Sequence, residues 1–187
     1  MAWHQPHESQ RVFLRSVRLL FSYPKLAEPA VRFYAKFYIE SFSAEETNEY
    51  AEAAFRTRSE KVHGLSRWIY EKTLGHPYFL AFICRELLAC TQSSVPESPA
   101  HLWPHVFQQM ERNKFRLDLA HVPEREFQLL QTLAGAQRDE INPHHFILAF
   151  QYAHFPRLTE KGLLIRTGRG RYKLYHPLFR EFLRQTQ

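Results

Sequence analysis

Glycine is scarce in this chain, six residues in 187, and cysteine and methionine are scarcer, two of each. So little glycine disfavours a loop-rich architecture and favours helices. The two cysteines, Cys84 and Cys90, stand six apart on an expected helix, about 240° around its axis. They share no face and read as ordinary buried thiols rather than a pair. Apolar runs are short, none near the roughly 18 residues of a membrane span, and Met1 to Gln10 lacks the apolar core of a secretion signal. A soluble, cytoplasmic protein with no membrane partner is expected.

Aromatic residues make up 15% of the chain, with 16 phenylalanines. At this length one or two domains bury roughly 70% of the unfolded surface, so no staple is required. The net charge of +6 is unevenly placed. Between Pro156 and Gln187 eight basic residues (Arg157, Lys161, Arg166, Arg169, Arg171, Lys173, Arg180 and Arg184) face two acids, Glu160 and Glu181. The first 155 positions balance at 17 of each sign. Such asymmetry points to an anionic partner, or to a solvated surface that keeps the protein in solution.

Local signals divide the chain. A short strand is expected at Val12-Phe13-Leu14 and a second at Lys36 to Glu40. Ser43-Ala44-Glu45-Glu46 is a capping box opening a helix to about Lys61. A helix from Ser66 through Thr73 ends at Gly75, which suits a left-handed stop, and Pro77 presets φ for the next helix. That helix is nearly apolar, and its free N–H groups near Tyr78 and Phe79 suit an anion or a ring edge, although the same grammar describes a plain helix-to-helix turn. After a loop over Gln92 to Pro99, one helix is expected from Ala100 to Leu119, with a domain boundary in Asp118 to Val122. Helices at Glu124 to Leu133 and Pro143 to Ala153, a helical segment ending at Gly162, a hairpin through Gly168-Arg169-Gly170-Arg171, and a closing helix from His176-Pro177 follow. The expected fold class is mainly α: a helical bundle over 43–118 and a winged-helix domain over 119–187, after a short β segment in 1–42.

From Arg11 to Arg184 the chain resembles the C-terminal half of a STAND-type AAA+ ATPase of the archaeal and bacterial kind. Val12-Phe13-Leu14 with Ser16 is similar to that family's sensor strand, and Phe42-Ser43-Ala44-Glu45-Glu46 to the segment leaving its ATPase sheet. Leu74-Gly75-His76-Pro77-Tyr78-Phe79-Leu80 resembles the lid's Gly-x-Pro motif. Lys161-Gly162-Leu163-Leu164-Ile165 through Tyr172-Lys173-Leu174-Tyr175-His176-Pro177-Leu178-Phe179 resembles its winged helix. The resemblance implies that Gly75, His76 and Pro77 contact a nucleotide and that Ser16 is a sensor residue. It also implies ATP or ADP with Mg²⁺ as cofactor of the parent family. No Gly-x4-Gly-Lys-Ser/Thr loop and no acidic strand end for Mg²⁺ occur in this sequence, so the chain alone is expected to be non-catalytic and to bind no cofactor. It reads as a fragment of a longer ATPase, a repacked remnant, or one half of a split protein whose ATPase core acts in cis or in trans.

Two activities stay open for the winged helix. Arg169, Arg171 and Lys173 on the wing would track the phosphates of double-stranded DNA while Gln151, His154, Arg157 and Lys161 face a groove. Alternatively the domain docks on an ATPase core or another protein. Pro156 opposes the first reading, since a proline inside the reading helix costs on the order of 3 kcal/mol. Eleven histidines raise metal chemistry. His101 and His105 are four apart but separated by Pro104, and adjacent His144 and His145 diverge on a helix, so neither pair is expected to bind metal. No Ser or Cys sits in a nucleophile context, and catalytic residues are not expected.

Overall fold

A computed structural model describes residues 17–20, 36–55, 62–90, 99–146 and 151–186. The expected strand at Val12-Phe13-Leu14, Ser16, the end of the first helix at 56–61 and most of the 92–99 loop lie outside them. The architecture is mainly helical, as the composition implied. Strands β1 (Val17–Leu20) and β2 (Lys36–Ile39) pair antiparallel, Val17 opposite Ile39 and Leu20 opposite Lys36. The chain divides into two compact units, Met1–Val106 and Phe107–Gln187.

In the first unit, α1 (Ala44–Phe55) opens on the expected capping box. The Ser43 N–H donates to Glu46 Oε2 at 2.8 Å and the Glu46 N–H to Ser43 Oγ at 3.1 Å, satisfying two groups the helix leaves orphaned. Helix α2 (Val62–Thr73) starts four residues before the expected Ser66. Helix α3 (Pro77–Cys90) is the core element: Phe79, Leu80, Ile83 and Leu87 are completely buried, with Phe55 of α1 and Ile69 of α2. Cys84 is buried there, and burial pushes its thiol up to about 12, which keeps it protonated and inert. Cys90, expected inside, is exposed at the helix end.

The segment expected as one helix over 100–119 is broken into phases. A 3-10 turn at Pro99–His101 precedes α4 (Trp103–Met110), a π-helical turn at Glu111–Phe115 and α5 (Arg116–Leu119). Met110 and Phe115 are both fully buried yet five apart, which in an α-helix puts them about 140° apart. The i→i+5 turn returns them to one face. It is fastened where the Arg116 N–H donates to the Glu111 carbonyl and the Arg116 guanidinium donates to Glu111 Oε1 at 2.6 and 3.0 Å.

Phe115 stacks on Phe182 at 5.2 Å and leans on Phe179 at 5.6 Å. Lys114 Nζ meets Asp118 Oδ1 at 2.6 Å, and the Tyr175 hydroxyl donates to Asp118 Oδ2 at 2.9 Å. These contacts explain why the second unit begins at Phe107, upstream of the Asp118 to Val122 stretch expected as the boundary. Its further elements are α6 (Glu124–Gly135), a 3-10 turn at Pro143–His145, α7 (His154–Glu160), β3 (Leu164–Gly168), β4 (Arg171–Leu174) and α8 (Pro177–Gln185). Strands β3 and β4 form the expected hairpin, Leu164 opposite Leu174 and Ile165 opposite Lys173. Ile141 adds a bridge the sequence did not disclose, its N–H and C=O exchanging bonds of 2.7 and 2.9 Å with Tyr172.

Where a helix was expected over Pro143 to Ala153, the described part holds only the 3-10 turn, capped by Asn142, whose Oδ1 accepts from the His144 N–H at 3.0 Å. Residues 147–150, including the expected inward Ile147 and Phe150, are outside the description.

Candidate nucleic-acid interface

Helix α7 is set by its two ends. Gln151 and Tyr152 offer carbonyls to the N–H groups of His154 and Phe155, both at 3.1 Å, which starts the first turn. Pro156 is therefore the third helical residue, where an N–H has no intrahelical partner to lose. The expectation that it breaks the helix fails for that reason. At the other end Gly162 has φ +74. The Leu163 N–H reaches the Leu158 carbonyl at 2.9 Å and the Gly162 N–H the Thr159 carbonyl at 3.0 Å, the paired bonds of a Schellman stop. Buried Leu158 and Leu163 close the motif, and the chain leaves directly into β3.

Of the sequence-derived interface residues, two lie against a buried carboxylate. Lys161 Nζ lies 2.6 Å from Glu126 Oε2, and His154 Nδ1 lies 3.5 Å from Glu126 Oε1. Glu126 is buried on α6. Burial by itself would raise its pKa, but the Lys161 ammonium, with His154 behind it, outweighs this and holds the carboxyl below its ordinary value. Gln151, Arg157, Arg169, Arg171 and Lys173 are exposed.

Two further members of the basic C-terminal set are also consumed internally. Arg184 Nε donates to the Ala134 carbonyl at 2.7 Å, and Arg180 reaches the carbonyls of Ala136, Arg138 and Asp139 at 3.3 to 3.4 Å and Asp139 Oδ1 at 3.0 Å. They fasten the C-terminal end of α6, where orphan carbonyls and the helix dipole favour a cation. Burial pulls the Arg180 pKa down. No local pattern announces these partners, since they lie about 40 to 50 residues upstream.

What faces solvent is concentrated on the hairpin. Between Leu164 and Leu174 there are four basic residues, Arg166, Arg169, Arg171 and Lys173, and no acid, and all four are exposed. Gly170, at φ +66, makes the turn that carries Arg169. Arg171 and Lys173 share a strand face, spaced about 7 Å by the pleat. Arg171 has one loose partner, Glu140 at 3.7 Å, both half or more exposed (68% and 50%). Beside it a recess of about 490 Å³ is bounded by Arg138, Glu140, Ile141, His145, Phe146 and Arg171, which brings two more cationic or titratable groups to the base of the hairpin.

No family model and no curated protein matches this sequence. Among solved structures, a Signal Transduction ATPase with Numerous Domains (STAND) carrying a tetratricopeptide repeat sensor, from Pyrococcus horikoshii, is similar at 20% identity and a TM-score of 0.33. The alignment covers 80% of this chain and 20% of that one, so the chain spans a fifth of its length. A superposition that loose fixes neither fold nor activity.

In the first unit the residues singled out for nucleotide contact are brought together at the α2 to α3 turn. Gly75 has φ +71, its carbonyl accepts from the Phe42 N–H at 2.8 Å, and a Cβ there would overlap the Phe42 carbonyl. Its N–H donates to Thr73 Oγ1 at 3.2 Å, and the His76 ring rests 4.8 Å from Phe79. Leu74 sits at φ +48, unusual for a leucine, and is 47% exposed, with Tyr78 nearby at 39%. Ser16 lies outside the described residues. His101, His105, His144 and His145 are all exposed, and among the described residues no group of three or more His, Cys, Asp or Glu side chains is arranged to hold a metal. Among the described residues no helix is long and apolar enough to cross a membrane.

Proposed function

We propose that this chain is a non-catalytic cytoplasmic binding module whose second unit is a winged helix that engages double-stranded DNA. One observation carries the reading: the four cations of the hairpin point to solvent with no acid among them, while Lys161, Arg180 and Arg184 are spent on internal partners. The order α6, α7, two-stranded hairpin, α8 supports it; of the helix expected between α6 and α7, the described residues hold the 3-10 turn at Pro143–His145. A labelled duplex titrated with the full 187-residue chain at 50 mM salt should shift, and the shift should disappear at 300 mM. No shift at the lower salt would sink the reading.

The first unit is read as a lid: Gly75, His76 and Pro77 face a nucleotide whose phosphates, with Mg²⁺, are held by an ATPase core supplied in cis or in trans, and strands β1 and β2 are the edge of such a core. The sequence motif at Leu74 to Leu80 supports this. A second reading, in which the chain is the protein-binding half of a split ATPase without DNA contact, is favoured by exposed Leu74 and Tyr78 flanking that turn. Under it, Tyr78→Ala weakens capture of a P-loop polypeptide and leaves duplex binding unaltered.

A further inference from the structure

Resting on the duplex-binding reading, we infer that the duplex is held by the β3–β4 hairpin through its phosphates, without base readout from α7. The outward surface of α7 is poorly equipped to read bases. Its exposed positions are Pro156, Arg157 and Glu160: one cation, one anion that repels phosphate, and a ring with no donor. Of the side chains that would extend that surface, Lys161 is held on Glu126, His154 is half-buried with its Nδ1 3.5 Å from the same carboxylate, and Gln151 alone is left exposed. Lys161 is not free to swing out, because withdrawal leaves a carboxylate that is 3% exposed without its strongest partner.

The hairpin has the opposite balance. Arg169, Arg171 and Lys173 run along its turn and one strand face, Arg166, paired with Tyr172, lies on the other face beside the bulge between Arg166 and Gly168, and no acid interrupts the run. Arg166 Nε donates to the Gly168 carbonyl at 3.2 Å, which steadies the bend and leaves the rest of the guanidinium outward. The Arg171 to Glu140 contact, long and solvent-exposed, is worth little and yields readily to a phosphate oxygen. Arg138 at the neighbouring recess has no ion pair among the described residues and extends the same cationic strip. Cations without a reading helix position a duplex by its backbone and carry no sequence information.

The test uses the full chain and two duplexes of equal length and scrambled sequence. Both are expected to bind within threefold of each other, with a salt slope of about −4 in log–log form, corresponding to four or five phosphates. Replacing Arg169 and Arg171 together by alanine should flatten the slope by about 2 and weaken binding on the order of fiftyfold at 0.1 M salt. Glu140→Gln, which removes the competing carboxylate, should tighten binding a fewfold. A preference above tenfold for one duplex, abolished by Gln151→Ala or Arg157→Ala, would overturn the inference while leaving duplex binding in place. A salt slope unaffected by the double substitution would overturn it as well. Failure of both duplexes to bind at 50 mM salt would instead remove the duplex-binding reading on which it rests.

Discussion

At the scale of single residues, Gly75 and Lys161 show how much depends on one backbone angle and one partner. Alanine at Gly75 meets a left-handed φ and the Phe42 carbonyl together, and neither can yield without breaking the Phe42 to Gly75 hydrogen bond. Gly75→Ala should cost about 2–4 kcal/mol, read as a lowered denaturant midpoint at unchanged m-value. Lys161→Met strands Glu126 in the interior; the lysine side chain is 35% exposed, so the cost should fall near 2 kcal/mol, below the range of a fully buried pair. Because the Glu126 carboxyl is held low in the folded state, its contribution is fully present above the ordinary carboxylate pKa and is lost as pH falls through the folded value. The thermal midpoint should therefore drop below about pH 4, and Glu126→Gln should flatten that decline. The sequence made Gly75 legible, since a glycine before a proline-led helix states its own geometry. It marked Lys161 as a groove cation, because nothing local to Lys161 indicates a carboxylate 35 positions away.

At the scale of elements, the ends that carry a capping residue were legible, while uncapped starts and helical phase were not. Ser43 to Glu46, Pro77 and Gly162 satisfy backbone groups within a few residues, so the caps can be read directly. The π-helical turn left a trace that could have been found: the apolar spacing of Phe107, Met110 and Phe115 jumps from three to five. An unbroken α-helix cannot bury both of the last two on one side. The end of α6 depends on arginines of α8, and Arg184→Ala should cost about 1–2 kcal/mol through lost carbonyl caps, visible as faster amide exchange in the last turn of α6. Pro156 opposes a helix only from its interior; with α7 beginning at His154, the same proline is an ordinary first-turn residue.

For the whole molecule, the excess of basic residues at the C-terminus divides into a structural and a solvent-facing group. Lys161, Arg180 and Arg184 belong to the first, and Arg157, Arg166, Arg169, Arg171 and Lys173 to the second. On a sulfonate cation exchanger, Arg169→Ala should elute at distinctly lower salt than the wild type. Arg180→Ala should shift elution little and lower the melting temperature instead, by several degrees for a unit of this size. Equal elution shifts from both would show that the two groups are not distinct.

The sequence alone determined the helical class, the caps and turns, and where the charge excess lies, because each depends on composition or on contacts within a few residues. Only the tertiary structure decided which cations are engaged inside the fold and which are not. Burying Glu126 and the carbonyl end of α6 creates a demand for positive charge, and its suppliers, Lys161, Arg180 and Arg184, are brought there by the fold from roughly 35 to 50 positions along the chain.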